Sequence, residues 1–100
     1  MSEVYKALGD PTRRRILQLL REREMSAGEL AEHFQLAKPT LSGHFAVLRA
    51  AGLVSTEKNK TSIIYRLNIS VLEEALMALM DGFALFGRPT PGLAPDRKAQ

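Results

Sequence analysis

Cysteine and tryptophan are both missing from the 100 residues of this chain. Without cysteine there are no disulfides, no thiolate metal ligands, no thiol nucleophile and no thiol redox sensor. Histidine occurs only at His33 and His44, without a close carboxylate cluster around them, so neither a metal site nor a catalytic base has much to build on. Ser42 and Ser62 lack a partnered base and there is no glycine-rich phosphate loop, which argues against an enzyme and against a bound cofactor. No apolar run approaches a membrane span, and the opening MSEVYK is charged and lacks the apolar core of a signal peptide, so a cytoplasmic protein is expected. Internal repeats are also absent.

The composition fits one soluble globular domain, with 25% charged and 45% hydrophobic residues. The net charge of +3 is modest, but its distribution is uneven. Lys38, Arg49, Lys58, Lys60 and Arg66 fall in one stretch against the single acid Glu57, whereas Glu73, Glu74 and Asp81 follow with no base among them. A basic middle suits an anionic partner, and the acidic late segment serves another purpose.

Apolar spacing predicts a short helix over residues 3–8 and a second from Pro11, with Asp10 as its N-cap and Ile16, Leu17, Leu19 and Leu20 as its buried stripe. The arginines of this second helix, among them Arg13 and Arg14, read as a solvated face. Ser26 and Glu29 have capping-box spacing and open a helix over 26–34. After the link 35–37, Leu41, Phe45 and Leu48 recur at helical spacing and Gly52 supplies a left-handed exit. Two short helices joined this closely are the mark of a helix-turn-helix, whose second helix enters the major groove of DNA.

Lys38, Pro39, Thr40, Ser42 and Gly43 then fall on the outward face of that second helix, where side chains must be small or able to hydrogen-bond to base edges. His44 lies beside the apolar stripe and reads as a half-buried histidine bonded to backbone. Residues 53–57 and 62–67 alternate as strands of a hairpin whose tip is Lys58, Asn59, Lys60 and Thr61, with the lysines placed to neutralise phosphate. Arg66 is a further, lower-ranked phosphate contact.

Ser70 and Glu73 repeat the capping-box spacing and open a last helix reaching Phe86. Its stripe of Leu72, Leu76, Leu79 and Phe83, widened by Met77 and Met80, exceeds what a small core requires and suggests a contact with a second copy, completed by Val4, Tyr5 and Leu8. Residues 1–86 are thus one DNA-binding and dimerisation domain, and 87–100, rich in breakers, read as a flexible tail. The expected fold is mainly α with a β-hairpin, a winged helix-turn-helix in the order helix-helix-helix-helix-strand-strand-helix.

The segments ALGDPTRRRIL (7–17), LSGHFAVLRAAGLV (41–54) and IYRL (64–67) resemble the ArsR family of winged-helix transcriptional repressors, and within it the SdpR-type autorepressor subgroup. The resemblance implies a homodimer built on the first and last helices, a reading helix over 38–51, a wing around 58–61 and a double-stranded DNA operator. It further implies control by a membrane protein that sequesters the repressor. Metal-sensing relatives carry cysteines in the helix corresponding to 26–34, or aspartate and histidine pairs on the last helix. This chain has neither set, so no metal, thiol or small-molecule inducer site is evident. Two other readings stay open at this level: a winged-helix protein-interaction module, and a ligand-responsive repressor with a site at its dimer interface.

Overall fold

A computed structural model describes residues 2–85 of the chain. Its described elements are α1 (Ser2–Leu8), α2 (Pro11–Glu22), β1 (Met25–Ser26), α3 (Ala27–Ala31), α4 (Lys38–Ala50), β2 (Val54–Asn59), β3 (Ser62–Leu67) and α5 (Ile69–Phe83). The winged helix-turn-helix order holds, with one strand added. Met25 and Ser26 pair antiparallel with Tyr65 and Ile64, giving a three-stranded sheet in the order β1-β3-β2. A two-residue strand has no alternation to read, so the sequence carries no periodic sign of it.

Local chemistry sets most of the helix starts. Asp10 Oδ2 accepts from the backbone N–H groups of Thr12 at 2.8 Å and Arg13 at 3.1 Å, which opens α2 as expected. Ser26 ends β1 and caps α3: its Oγ accepts from Glu29 N at 3.0 Å while Glu29 Oε1 accepts from Ser26 N at 2.9 Å. α3 itself is shorter than the expected 26–34. Beyond Ala31 the chain turns through bonds from His33 N to Leu30 O and from Phe34 N to Ala31 O.

α4 begins after Ala37, which supplies no side-chain cap, and Pro39 lies in its first turn. Its exit is a Schellman turn: Gly52, at φ +75°, donates to Arg49 O at 3.0 Å, and Leu53 donates to Leu48 O at 3.1 Å. Leu48 and Leu53 are both fully buried, and each such side chain contributes about 1.5–3 kcal/mol by leaving water. They join Ile16, Leu30, Leu41, Phe45 and Tyr65 in one core between the helices and the sheet.

Three expectations need correction. The Ser70–Glu73 capping box does not form, because α5 starts earlier, at Ile69, after Asn68. Asn68 makes no cap bond with its side chain. Its backbone N–H donates to Leu53 O at 2.9 Å and its Nδ2 to Gly52 O at 2.8 Å, which ties the end of β3 to the exit of α4 and fixes where α5 begins. The hairpin tip is tighter than four residues: Asn59 pairs with Ser62, leaving Lys60 and Thr61 as the turn, with Lys60 at φ 60°. Arg13 and Arg14 are not merely a solvated face. Arg13 Nε donates to Ala7 O at 2.8 Å and Nη2 to Lys6 O at 3.0 Å, and Arg14 Nη1 donates to Leu8 O at 2.8 Å. Two cations thereby satisfy carbonyls at the negative end of α1. At the far end α5 closes with Ala84 at φ 53°, while Phe86 and the tail expected over 87–100 lie outside the described residues.

Backbone N–H groups hold the carboxyls of Asp10 and Glu29 below their ordinary range: those of Arg13 for Asp10 and of Ser26 for Glu29 are the largest causes. Because the folded values lie below the unfolded ones, the stability these caps add is present above the unfolded carboxyl range of about 4 and is lost as pH falls through the depressed folded values. Urea unfolding at a series of pH values is expected to show a shallower acid limb in Asp10→Asn/Glu29→Gln than in wild type. An identical limb would assign the acid sensitivity to other carboxylates.

Candidate nucleic-acid interface

The inward and outward faces of α4 separate sharply. Leu41, Phe45 and Leu48 are 4%, 7% and 0% exposed, so the seat of the helix is closed. Lys38, Pro39, Thr40, Ser42, Gly43 and Ala46 are all exposed on the opposite side. That outer face offers a cation, two hydroxyls and little bulk, the combination a groove floor requires.

The wing is joined to this helix through aromatic packing. The rings of Phe45 in α4 and Tyr65 in β3 lie 4.7 Å apart and are tilted by 35°. Burial pushes the Tyr65 phenol above its ordinary value, keeping the ring neutral. From this anchor β2 and β3 run out to Lys58, Asn59, Lys60 and Thr61, all exposed. Lys60 holds a left-handed backbone angle that glycine or asparagine would adopt more cheaply, so the tip carries a cation at a conformational cost.

Two shallow concavities relate the wing to the reading helix. One is lined by Ala27 and Gly28 of α3 together with Lys38, Leu41 and Ser42 of α4. The other is lined by the same Ala27 and Gly28 together with Thr61, Ser62 and Ile63 of the wing. The start of α3 therefore lies between the first turns of α4 and the tip of the hairpin. The exposed, β-carbon-free Gly28 at this junction had no distinguishing sign in the sequence.

Arg66 departs from its expected role. Its Nε donates to Glu24 Oε1 at 2.5 Å and its Nη2 to Glu57 Oε1 at 2.7 Å. Glu57 and then Glu24 raise its pKa and hold it charged. Two carboxylates already neutralise this guanidinium, which clips the wing to the segment before β1. His44 also differs: it is half-buried as expected, but its Nδ1 faces Arg13 Nη1 at 3.2 Å and Asp10 Oδ2 at 3.9 Å, side chains rather than backbone. His33 is exposed. Among the described residues there is no group of three or more His, Asp or Glu able to hold a metal ion.

On the far side, α5 presents Leu76 (42% exposed), Met77 (60%), Leu79 (42%) and Phe83 (68%), with Met80 half-buried among them. The expected contribution of α1 to this face is smaller than the sequence suggests. Val4 is covered within the chain's own core. Tyr5 is half-buried and donates its hydroxyl to Ala75 O at 2.9 Å, and Leu8 packs against the core. Val4 and Leu8 seat α1 in the shared core and the Tyr5 hydroxyl ties it to α5, which leaves α5 itself as the uncovered apolar surface.

With a seated helix, a cationic wing and an open helix face, the molecule has the build of a DNA-binding regulator. Residues 10–56 match the family model described as bacterial regulatory protein, arsR family. The chain is 43% identical over 76 residues to the transcriptional repressor SdpR of Bacillus subtilis, a match spanning 76% of this chain and 84% of that protein. It is 44% identical over 73 residues to an arsenical resistance operon repressor of Staphylococcus xylosus, spanning 73% and 70%. Among solved structures, an ArsR-like transcriptional regulator from Rhodococcus sp. superposes with a TM-score of 0.76 at 31% identity, covering 87% of this chain and 80% of that one. The chain belongs to the arsR family of bacterial regulatory proteins.

Replacing Arg66 with glutamine is expected to speed amide exchange in β2 and β3 while leaving the slope of log affinity for DNA against log salt unchanged. A slope reduced by about 0.9 per protomer would instead assign Arg66 a phosphate.

Proposed function

We propose that this protein is a homodimeric, sequence-specific DNA-binding repressor that acts on a double-stranded operator in its own upstream region. The observation that carries the reading is the exposed row Lys38, Pro39, Thr40, Ser42 and Gly43 on a helix whose other face is sealed in the core. Thr40 and Ser42 read base edges, Lys38 meets a phosphate or a guanine, and Lys58 and Lys60 hold the flanking backbone, with Asn59 and Thr61 beside them. The Bacillus and Staphylococcus relatives are repressors. Occlusion of a promoter by bound protein needs no chemistry beyond this contact.

Dimerisation follows from the reading and from α5. Two equivalent helices must lie about 34 Å apart to enter successive major grooves of a two-fold operator. Leu76, Met77, Met80 and Phe83 form an apolar surface suited to such a symmetric contact. No helix among the described residues is long and apolar enough to cross a membrane.

Fluorescence anisotropy against the upstream region and a scrambled duplex tests the first part. Selective binding is expected, and Lys58→Ala/Lys60→Ala is expected to weaken both duplexes alike and reduce the salt slope by about 1.8 per protomer, about 3.6 for the bound pair. Thr40→Ala or Ser42→Ala is expected to change preference by about 1–3 kcal/mol at one base pair. Equal affinity for both duplexes at physiological salt would remove the repressor reading. For the second part, sedimentation is expected to give two chains for wild type and one for Met77→Glu/Phe83→Glu. A wild type that sediments as one chain would favour the interaction-module reading, with α5 open to a different partner.

A further inference from the structure

A single guanidinium joins three helices. Arg13, in the first turn of α2, holds Lys6 O and Ala7 O at the end of α1 through Nη2 and Nε, while its Nη1 lies 3.2 Å from Nδ1 of His44 in α4. α1 is in turn fixed to α5 by the bond from the Tyr5 hydroxyl to Ala75 O. Directed contacts therefore run from α5, with its open apolar face, through α1 and Arg13 to the helix bearing Thr40 and Ser42.

Chemistry defines the state of the contact. A guanidinium has donors only, so a hydrogen bond from Arg13 Nη1 takes Nδ1 as its acceptor and assigns the ring proton to Nε2. The His44 side chain is 17% exposed, and the nearby Asp10 carboxylate is engaged by the backbone N–H groups of Thr12 and Arg13. Asp10 and Arg13 both come from the start of α2, so the imidazole is held from one side by a fixed structure.

Direction matters here because the apolar part of the seat lacks it, and the Asn68 bonds that tie α4 lie at its exit, away from Thr40 and Ser42. Leu41, Phe45 and Leu48 anchor α4 by apolar burial, which resists withdrawal from the core but discriminates weakly between small rotations about the helix axis. Such a rotation carries Thr40 and Ser42 across the base edges they are to read, whereas a hydrogen bond at one point on the circumference opposes it.

We propose that Arg13 is a positioning residue for DNA recognition: through His44 it fixes the rotation of α4, and through α1 it links that setting to the α5 face. The proposal rests on the DNA-binding reading above. It assigns Arg13 no phosphate and His44 no base. It also gives this position to arginine specifically, since three acceptors in a fan cannot be met by the single ammonium of lysine.

The test uses the full chain and four replacements. Arg13→Lys keeps the charge and loses the fan. His44→Asn keeps an acceptor where Nδ1 stands, His44→Leu removes it, and Arg13→Lys/His44→Leu completes a cycle. Arg13→Lys and His44→Leu are each expected to lower affinity for the preferred duplex by about tenfold or more, the size of a hydrogen bond to a charged group, with little change for a scrambled duplex and none in the salt slope. The double variant is expected to be no worse than either single one, and His44→Asn to restore wild-type selectivity. In the free protein, 15N shifts are expected to show a bare Nδ1 and a protonated Nε2, with Nδ1 moving on Arg13→Lys. Additive losses, or a slope reduced by about 0.9 per protomer, would overturn the proposal with a selective wild type, leaving the DNA-binding reading intact. A wild type indifferent to sequence would overturn both. A protonated Nδ1, or an imidazole that ignores Arg13→Lys, would overturn the contact whether or not DNA is bound.

Discussion

The seating of α4 is the constraint on which the rest of the molecule depends. Leu41, Phe45 and Leu48 turn inward at helical spacing, and their burial alone forces Lys38, Thr40, Ser42 and Gly43 outward. Phe45 then serves a second purpose, because the Tyr65 ring packed against it carries β3 and so the wing. A single apolar stripe thus determines which polar residues are presented and where the cationic hairpin starts. The polar bonds around it refine the placement: the Schellman exit at Gly52 ends the helix, and Asn68 returns to that same exit to begin α5.

Six of the basic residues divide into two groups by what they already hold. Arg13, Arg14 and Arg66 have carbonyl, imidazole or carboxylate partners within the chain and act as struts. Lys38 stands exposed in the first turn of α4, and Lys58 and Lys60 stand exposed at the tip of the wing. The physical difference between the side chains accounts for the division. A planar guanidinium satisfies several fixed acceptors at once, while a flexible ammonium suits a phosphate whose position changes with the duplex. Net charge alone therefore overstates what is available to an anionic partner, and the exposed lysines are the better measure.

Much of this was legible in the sequence because it is local. Asp10-Pro11, Ser26 with Glu29, and the 41-45-48 spacing each fix a helix end or face within a few residues, and each stands where expected. What escaped is long-range. β1 exists only through pairing with β3, from which it is separated by α3, α4 and β2. Asn68 replaced Ser70 as the start of α5 because its partner is Gly52, not a neighbour in the chain. Arg66 looked available because Glu24 lies 42 positions away, and His44 looked backbone-bound because Arg13 lies 31 away. Side chains with several donors are the hardest to place from sequence, since their partners are decided by packing.

The two ends of the molecule bear on one another through mass action. In the proposed dimer a second copy covers the apolar face of α5, and two-fold DNA offers its full contact only to a pair of reading helices. Any increase in the paired fraction therefore raises occupancy of the operator, and the operator in turn favours the pair by the same free energy. A repressor that acts on its own upstream region would then respond steeply to its own concentration without any bound inducer. Mass action alone gives this response, and pairing that is also felt at α4 adds to it. The Tyr5–Ala75 bond and the Arg13 fan supply that path, because α1 cannot shift on α5 without moving the carbonyls that hold the guanidinium facing His44.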